Sequence, residues 1–247
     1  MINKYKKNIY SEQGEDGVIL YLLKKAKILS NKKNLWCCEF GAWDGIHGSN
    51  TFNLVKNYNY NAVYIENDKE KFKELLITKK KNSKIIALNK HVSHKKKSSS
   101  LDRILKQTKI IKNFDILSID IDSYDLAVWK SLKLYRPKIV VIEINSEIAP
   151  GIKQIHSKNK NGNSFTSTVE FAKKTGYQLV CHTGNCIFIK KIYLKNIIYS
   201  KKYINNPELL FDNTWLNKKE NLLLKILKYS LPYKALNVLR KIKKSII

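Results

Sequence analysis

Arginine is nearly missing from this 247-residue chain: of its 47 basic residues, only Arg103, Arg136 and Arg240 are arginines. Acids are few as well, 20 in all, and the formal charge is +27. Arginine is the side chain that reads phosphates and base edges with paired hydrogen bonds. A positive excess carried by lysine therefore points away from dedicated nucleic-acid recognition. It leaves an anionic substrate or an anionic membrane surface as partners. No apolar run approaches the roughly 18 residues that cross a bilayer. The first ten residues lack the apolar core of a secretory signal, so the expected location is cytoplasmic. Cysteine is sparse, at four residues, with no CxxC pair of the kind that binds zinc. Cys37 and Cys38 are adjacent, and in a strand they point to opposite faces. Cys181 and Cys186 flank a turn and are expected to be reduced thiols.

What is present is enough for one α/β domain with a full core and small appendages, at 43% hydrophobic residues. Its most informative stretch is Leu35-Trp36-Cys37-Cys38-Glu39-Phe40-Gly41-Ala42-Trp43-Asp44-Gly45. An apolar run ends in an acid and is followed by two glycines in a polar turn. About twenty residues on, Asn61-Ala62-Val63-Tyr64-Ile65 ends in Glu66. The pair describes the first half of a nucleotide-binding α/β unit. The glycines let the backbone turn tightly against a ligand, and an acid closing the second strand can accept hydrogen bonds from ribose hydroxyls.

Periodicity and punctuation give the rest of the order. Ser11 reads as the cap of a helix over about 11–30, with Glu15 and Asp16 in its first turns. Strands are expected over 35–40, 62–66, 84–88, 114–121 and 138–144. Helices are expected from about 49, over 69–80, 101–109, 126–134 and 164–175. The segment 145–163 is polar and long enough to be a functional loop. Two short apolar runs, 177–181 and 186–189, join through His182-Thr183-Gly184-Asn185 as a hairpin. A parallel sheet that closes with an antiparallel hairpin is the seven-stranded, Rossmann-like pattern of class I methyltransferases. The expected organisation is an N-terminal helical segment over 1–33, a catalytic domain over 34–192 and a basic helical extension over 193–247. Residues 216–247 carry nine basic side chains and one acid. Their leucines and isoleucines fall on one helical face. That face would pack on the domain, pair with a second copy in a homodimer, or lie on an anionic membrane as a peripheral contact at its inner face.

Polar groups are expected to converge at one end of the sheet. Ser118-Ile119-Asp120-Ile121-Asp122 closes the fourth strand, and by the two-residue period Asp120 and Asp122 share a face. Glu143 and Asn145 do the same at the fifth. Strands one and four meet at the topological switch point, where open α/β sheets bind ligands. Acids there either cap loop amides or serve function, as general bases or as oxygen ligands, Asp122, Glu143 and Asn145, for a divalent metal such as magnesium or manganese. His91 and His47 sit at the same end; His182 and His156 are weaker candidates. S-adenosylmethionine carries a ribose diol and a cationic tail but no phosphate, so a carboxylate-rich site suits it better than it suits a nicotinamide dinucleotide. Glu66 would take the ribose hydroxyls, and Glu39 or Asp44 the ammonium tail.

The blocks Ser11-Glu12-Gln13-Gly14-Glu15-Asp16, Glu39-Phe40-Gly41-Ala42-Trp43-Asp44-Gly45, Ser49-Asn50-Thr51, Ile65-Glu66, Leu117-Ser118-Ile119-Asp120-Ile121-Asp122 and Pro137-Lys138-Ile139-Val140-Val141-Ile142-Glu143-Ile144-Asn145 together resemble the FkbM-type methyltransferases. They are closest in pattern to a bacterial branch with an SQxGED opening and an SIDIDGxD motif. The resemblance spans about residues 9–191. It implies an S-adenosylmethionine-dependent class I fold and O-methylation of a sugar or other hydroxyl in glycan or natural-product assembly. Carried onto this chain, Glu39, Gly41, Asp44, Gly45 and Glu66 would line the cofactor. Asp120 and Asp122 would face the cofactor's methyl and the substrate; by their own chemistry, Asp122 or His91 would accept the acceptor's proton. The alternative is a catalytically degenerate module on the same fold that binds a membrane surface or a glycan. A nicotinamide-dependent enzyme would need a Tyr-x-x-x-Lys-type pair that the sequence does not place usefully.

Overall fold

A computed structural model describes residues 2–30 and 34–217 of the chain. Trp36–Phe40 (β1) and Asn61–Glu66 (β2) form the strands expected around the glycine turn. Ile85–Asn89 (β3), Ile116–Ile119 (β4) and Ile139–Glu143 (β5) follow. The hairpin is Tyr177–His182 (β6) with Asn185–Lys190 (β7). The seven strands stand in the order β3-β2-β1-β4-β5-β7-β6. The first five are parallel, and β7 runs antiparallel to both β5 and β6. This is the mostly parallel sheet with a terminal antiparallel hairpin that the class I pattern predicts.

Apolar side chains leave both faces of the central strands, so each face needs a cover of helix. Trp36, Cys38 and Phe40 enter one core, whereas Cys37, with Ala62 and Ile116, enters the other. All four cysteines are buried free thiols. The covering helices are Glu15–Lys25 (α1), Phe52–Tyr58 (α2), Lys69–Lys81 (α3), Leu101–Leu105 (α4), Asp125–Ser131 (α5), Phe165–Lys174 (α6) and Lys201–Asn205 (α7). Residues 1–213 form one compact unit, and those from Thr214 a second, of which the 3-10 turn Thr214–Asn217 is described. The basic extension expected over 216–247 lies outside the described residues beyond 217. Among the described residues no helix is long and apolar enough to cross a membrane.

Several elements are shorter than periodicity predicts. The first helix starts at Glu15, behind Gly14 at φ 99°, rather than at Ser11. The cause is Asp16. Its Oδ2 accepts the backbone amides of Ile9, Tyr10 and Ser11 at 2.8, 2.7 and 2.8 Å, while the Ser11 hydroxyl accepts the Asp16 amide. A chain wrapped around a carboxylate cannot also be helical. Strand β4 stops at Ile119, because the Asp125 carboxylate takes the Ile121 and Ser123 amides and turns the chain into α5. Asp120 and Asp122 are therefore brought together by a turn, with Asp122 at φ 57°, and not by the strand pleat.

The hairpin fastens two distant segments. Glu15 Oε1 accepts the Thr183 hydroxyl at 2.6 Å and the Asn185 amide group at 3.3 Å. His182 is 0% exposed, stacked on Phe211, and its Nδ1 accepts the Asp212 amide at 2.9 Å. The backbone N–H can only donate, so Nδ1 is unprotonated, and the neutral ring presents Nε2–H to the Ser146 hydroxyl at 3.3 Å. Burial, with Lys6 adding to it, pushes the imidazole down to about 4 from its usual 6.5, although Asp212 pulls the other way. Between those pH values the unfolded chain binds the proton and the folded protein does not, so stability falls with falling pH. The contribution is complete above about pH 6.5 and is lost towards pH 4, on the order of 3 kcal/mol in all. Urea titrations at pH 7.5 and 4.5 are expected to show that loss in the wild type, with a smaller difference in His182→Gln. An equal difference in both would place the acid sensitivity elsewhere.

Candidate active site

The carboxyl ends of β1, β2, β4 and β5 carry Glu39, Glu66, Asp120 and Glu143. Glu39, 5% exposed, is tied to the segment after the glycine turn. Its oxygens accept the Ser49 and Thr51 hydroxyls, both at 2.6 Å, and the Asn50 amide at 3.0 Å. Burial raises its pKa and nearby Asp16 adds to this, against those hydrogen bonds. Asn50 passes the connection to β4 through the Ser118 hydroxyl at 3.1 Å. Glu39 thus fixes the path of residues 49–52 into α2. Asp44 closes the turn itself, accepting the Ile46 and His47 amides at 2.8 Å and pairing with His47 Nδ1 at 2.7 Å. Burial opposes its charge, but the hydrogen bonds from His47 and Ile46 outweigh it and hold the carboxyl below its usual range.

Glu66 spans the other side of the turn. One oxygen accepts the Trp43 amide and the other the Asp68 amide, each at 2.8 Å. A carboxylate has about four acceptor positions, so both oxygens retain lone pairs for ligand hydroxyls. Trp43 lies in the left-handed region at φ 47°, which a bulky side chain rarely adopts. The Glu66 bond, a stack on His47 and an indole bond to Glu74 hold it there. Gly41, at φ 76°, lies so close to β4 that an added Cβ would sit 1.7 Å from the Asp120 carbonyl oxygen.

Asp120, Asp122 and Glu143 bring carboxylate oxygens within 4.8 Å of one another. Desolvation drives the Asp120 pKa well up, reinforced by Glu143, Asp125, Asp122 and Glu39. Glu143 rises to about 7 through burial and the charges of Asp122 and Asp125, while a hydrogen bond from Asp120 works against the rise. Three oxygens at this spacing could hold a hard divalent ion. Asn145, at the end of β5, is engaged in its own loop: its amide donates to the Asn161 carbonyl and its Oδ1 accepts the Glu147 amide. His91 is exposed in the loop after β3 and stands outside this group of acids.

Three other rings gather at this end, one from each loop after β3, β4 and β5. Tyr124 stacks on His94 at 4.6 Å and meets His156 edge-on at 4.4 Å. His156 Nδ1 accepts the Gly162 amide, which leaves the proton on Nε2 of the neutral ring. Asn163 ties this loop to the Ser123 carbonyl at 3.5 Å. All three rings are half-buried. Periodicity does not single them out, because each ring is alone in a loop: His156 reads as a weaker candidate and His94 and Tyr124 as none, and the shared signal is their position after successive strands.

The family model described as methyltransferase FkbM domain matches residues 45–179. The chain belongs to the FkbM methyltransferase family. The family places it among S-adenosylmethionine-dependent methyltransferases, with the class I sheet order described above. Similar solved structures include TrmK of M. capricolum with S-adenosylhomocysteine, at 17% identity and TM-score 0.44, covering 91% of this chain and 94% of that one. The CurJ carbon methyltransferase has 8% identity and TM-score 0.48, with 76% of this chain and 56% of that one covered. A precorrin-6y C5,15-methyltransferase from Geobacter metallireducens has 13% identity and TM-score 0.43, with 74% and 92% covered. No curated protein matches the chain.

The residues suit a cationic adenosine ligand. Among the described residues, none of Asp16, Glu39, Glu66, Asp120 and Glu143 is ion-paired to a lysine or arginine. Gly41→Ala is expected to lower stability by about 3 kcal/mol or more, since both the positive φ and the Asp120 carbonyl oppose a Cβ. A denaturation midpoint unchanged from wild type would contradict this packing.

Proposed function

We propose that this methyltransferase acts on a hydroxyl oxygen of a saccharide acceptor. The observation that carries the reading is the sign of the charge at the sheet end. A chain of net charge +27 places at the carboxyl ends of β1, β2, β4 and β5 a set of acids with no basic partner among the described residues. An anionic dinucleotide would be repelled there, whereas a sulfonium with an ammonium tail is attracted. When bound, S-adenosylmethionine supplies an electrophilic methyl group to an oxygen aligned with it.

The chain's own residues divide the remaining work. Glu66 holds ribose hydroxyls with the lone pairs left after Trp43 and Asp68. The close Gly41–Asp120 approach fixes the backbone of the glycine turn against the end of β4 beside them. Asp122 is exposed in the turn after β4 and is positioned to receive the acceptor's hydroxyl proton on a carboxylate oxygen. Asp120 and Glu143 beneath it are hydrogen-bonded, and their raised pKa values favour a shared proton. The half-buried rings of His94, Tyr124 and His156 form the adjoining wall. Aromatic faces with polar edges suit a sugar ring, which offers C–H groups on one face and hydroxyls around its rim.

Calorimetric titration with S-adenosylmethionine is expected to give binding that Glu66→Ala weakens by tenfold or more, about 1.4 kcal/mol. In turnover assays with saccharide acceptors, Asp122→Asn is expected to lower kcat by about 10²-fold with donor affinity within about threefold of wild type. Full turnover in Asp122→Asn would remove this carboxylate from the chemistry. Tyr124→Ala is expected to raise the acceptor KM by about tenfold with little change in kcat, the pattern of lost uniform binding. An unchanged KM would move the acceptor away from the ring wall.

A further inference from the structure

We infer that Asp16, in the N-terminal motif and outside the matched family region, receives the α-ammonium group of the methyl donor. The inference rests on the methyl-donor reading above and extends it to a segment that neither the glycine turn nor the family match includes. Asp16 is 2% exposed. Its Oδ2 is saturated by the three amides of Ile9, Tyr10 and Ser11. Its Oδ1 is buried with no hydrogen-bond partner among the described residues. A carboxylate oxygen withdrawn from water with nothing donating to it is costly, and such groups are rare without a reason.

The surroundings give the missing partner a sign. Asp16 lies close enough to Glu39 to raise that acid's pKa. Glu39 in turn adds to the negative charge acting on Asp120. Asp16, at the start of α1, thus acts on Glu39, and Glu39 on Asp120, with none of the three in a lysine or arginine ion pair among the described residues. Glu39 is the weaker ammonium contact, because both its oxygens already accept a bond, Oε2 from the Ser49 and Thr51 hydroxyls and Oε1 from the Asn50 amide. Asp44 is taken by His47 and Ile46. Asp16 is the acid on this side of the turn with an uncommitted oxygen. A primary ammonium group has three donors, so it can fill Oδ1 and still bond elsewhere.

The motif is also built to hold that oxygen still. Glu15 fastens it to the β6–β7 turn through Thr183 and Asn185. Tyr10 packs edge-on against Phe52 at the start of α2 at 4.8 Å. Gly14 at φ 99° passes so close to Lys6 that a Cβ would lie 2.6 Å from the Lys6 Cβ.

The test compares three adenosine ligands on the full chain by calorimetry. S-Adenosylhomocysteine carries the amino-acid tail, its deaminated analogue lacks only the ammonium group, and 5′-methylthioadenosine lacks the whole tail. Wild type is expected to bind the deaminated analogue at least about tenfold more weakly than S-adenosylhomocysteine, the scale of one charge-assisted hydrogen bond. Asp16→Asn is expected to weaken S-adenosylhomocysteine by a similar factor and to leave 5′-methylthioadenosine unchanged. Equal wild-type affinity for S-adenosylhomocysteine and its deaminated analogue would overturn the assignment, whether or not the variant folds. A parallel loss of all three ligands in Asp16→Asn would also overturn it, by showing that Asp16 only shapes the turn. If wild type bound none of the three, the methyl-donor reading itself would fail; binding of S-adenosylhomocysteine with no role for its ammonium group would fail this inference alone.

Discussion

Carboxylates taken out of water must be held by something, and around the carboxyl end of this sheet they are held mainly by backbone amides and hydroxyls rather than by lysine or arginine. Asp16 gathers three amides, Glu39 two hydroxyls and an amide, Glu66 two amides and Asp125 two more. Each of these bonds stabilises the charged form without cancelling its charge. The result is a set of loops fixed by acids, and a negative field that remains directed at whatever enters the sheet end. Lysines are plentiful in the sequence, yet the lysine ion pairs among the described residues spare these acids, as in Lys138–Asp115 at the opposite end of β4 and β5.

This way of anchoring divides the site into sides. Towards β2, Glu66 and the glycine turn form one side, the proposed seat of the adenosine, with Trp43 held in an unfavourable backbone conformation. Towards β4 and β5, the turn after Asp120 and the loops of His94, Tyr124 and His156 define a second surface. Asp122, also in the left-handed region, stands between them. Strain at Trp43 and Asp122 persists because acids at Glu66 and Asp125 over-determine the turns around them. The N-terminal motif closes the arrangement by touching both the hairpin and the start of α2, so the sheet's last strands and its first turn are coupled through Glu15 and Asp16.

Much of the frame was legible in the residues alone. Continuous apolar strands, acids at strand ends and a closing hairpin specify the order of elements and the end of the sheet that carries the site, since a parallel sheet needs both faces covered and opens ligand space at its switch point. Element ends were less legible: Ser11 reads as a helix cap, and only the folded chain shows its hydroxyl and the neighbouring amides serving Asp16. Asp120 and Asp122 were placed together for a local reason, the strand period, that the turn at Ile121 replaces.

The sequence by itself determined the fold and the strand ends at which acids gather, through short-range pattern, and the family, through the motif blocks that resemble it. Tertiary structure decided what each acid is free to do. Glu39, Asp44 and Asn145 are as polar as Asp16 or Asp122 in the sequence, but the hydrogen bonds of the folded loops commit them, while Asp16 keeps an oxygen and Asp122 keeps its exposure. The ring wall of His94, Tyr124 and His156 was likewise decided there, since residues 32 positions apart meet only when three loops fold over one sheet end.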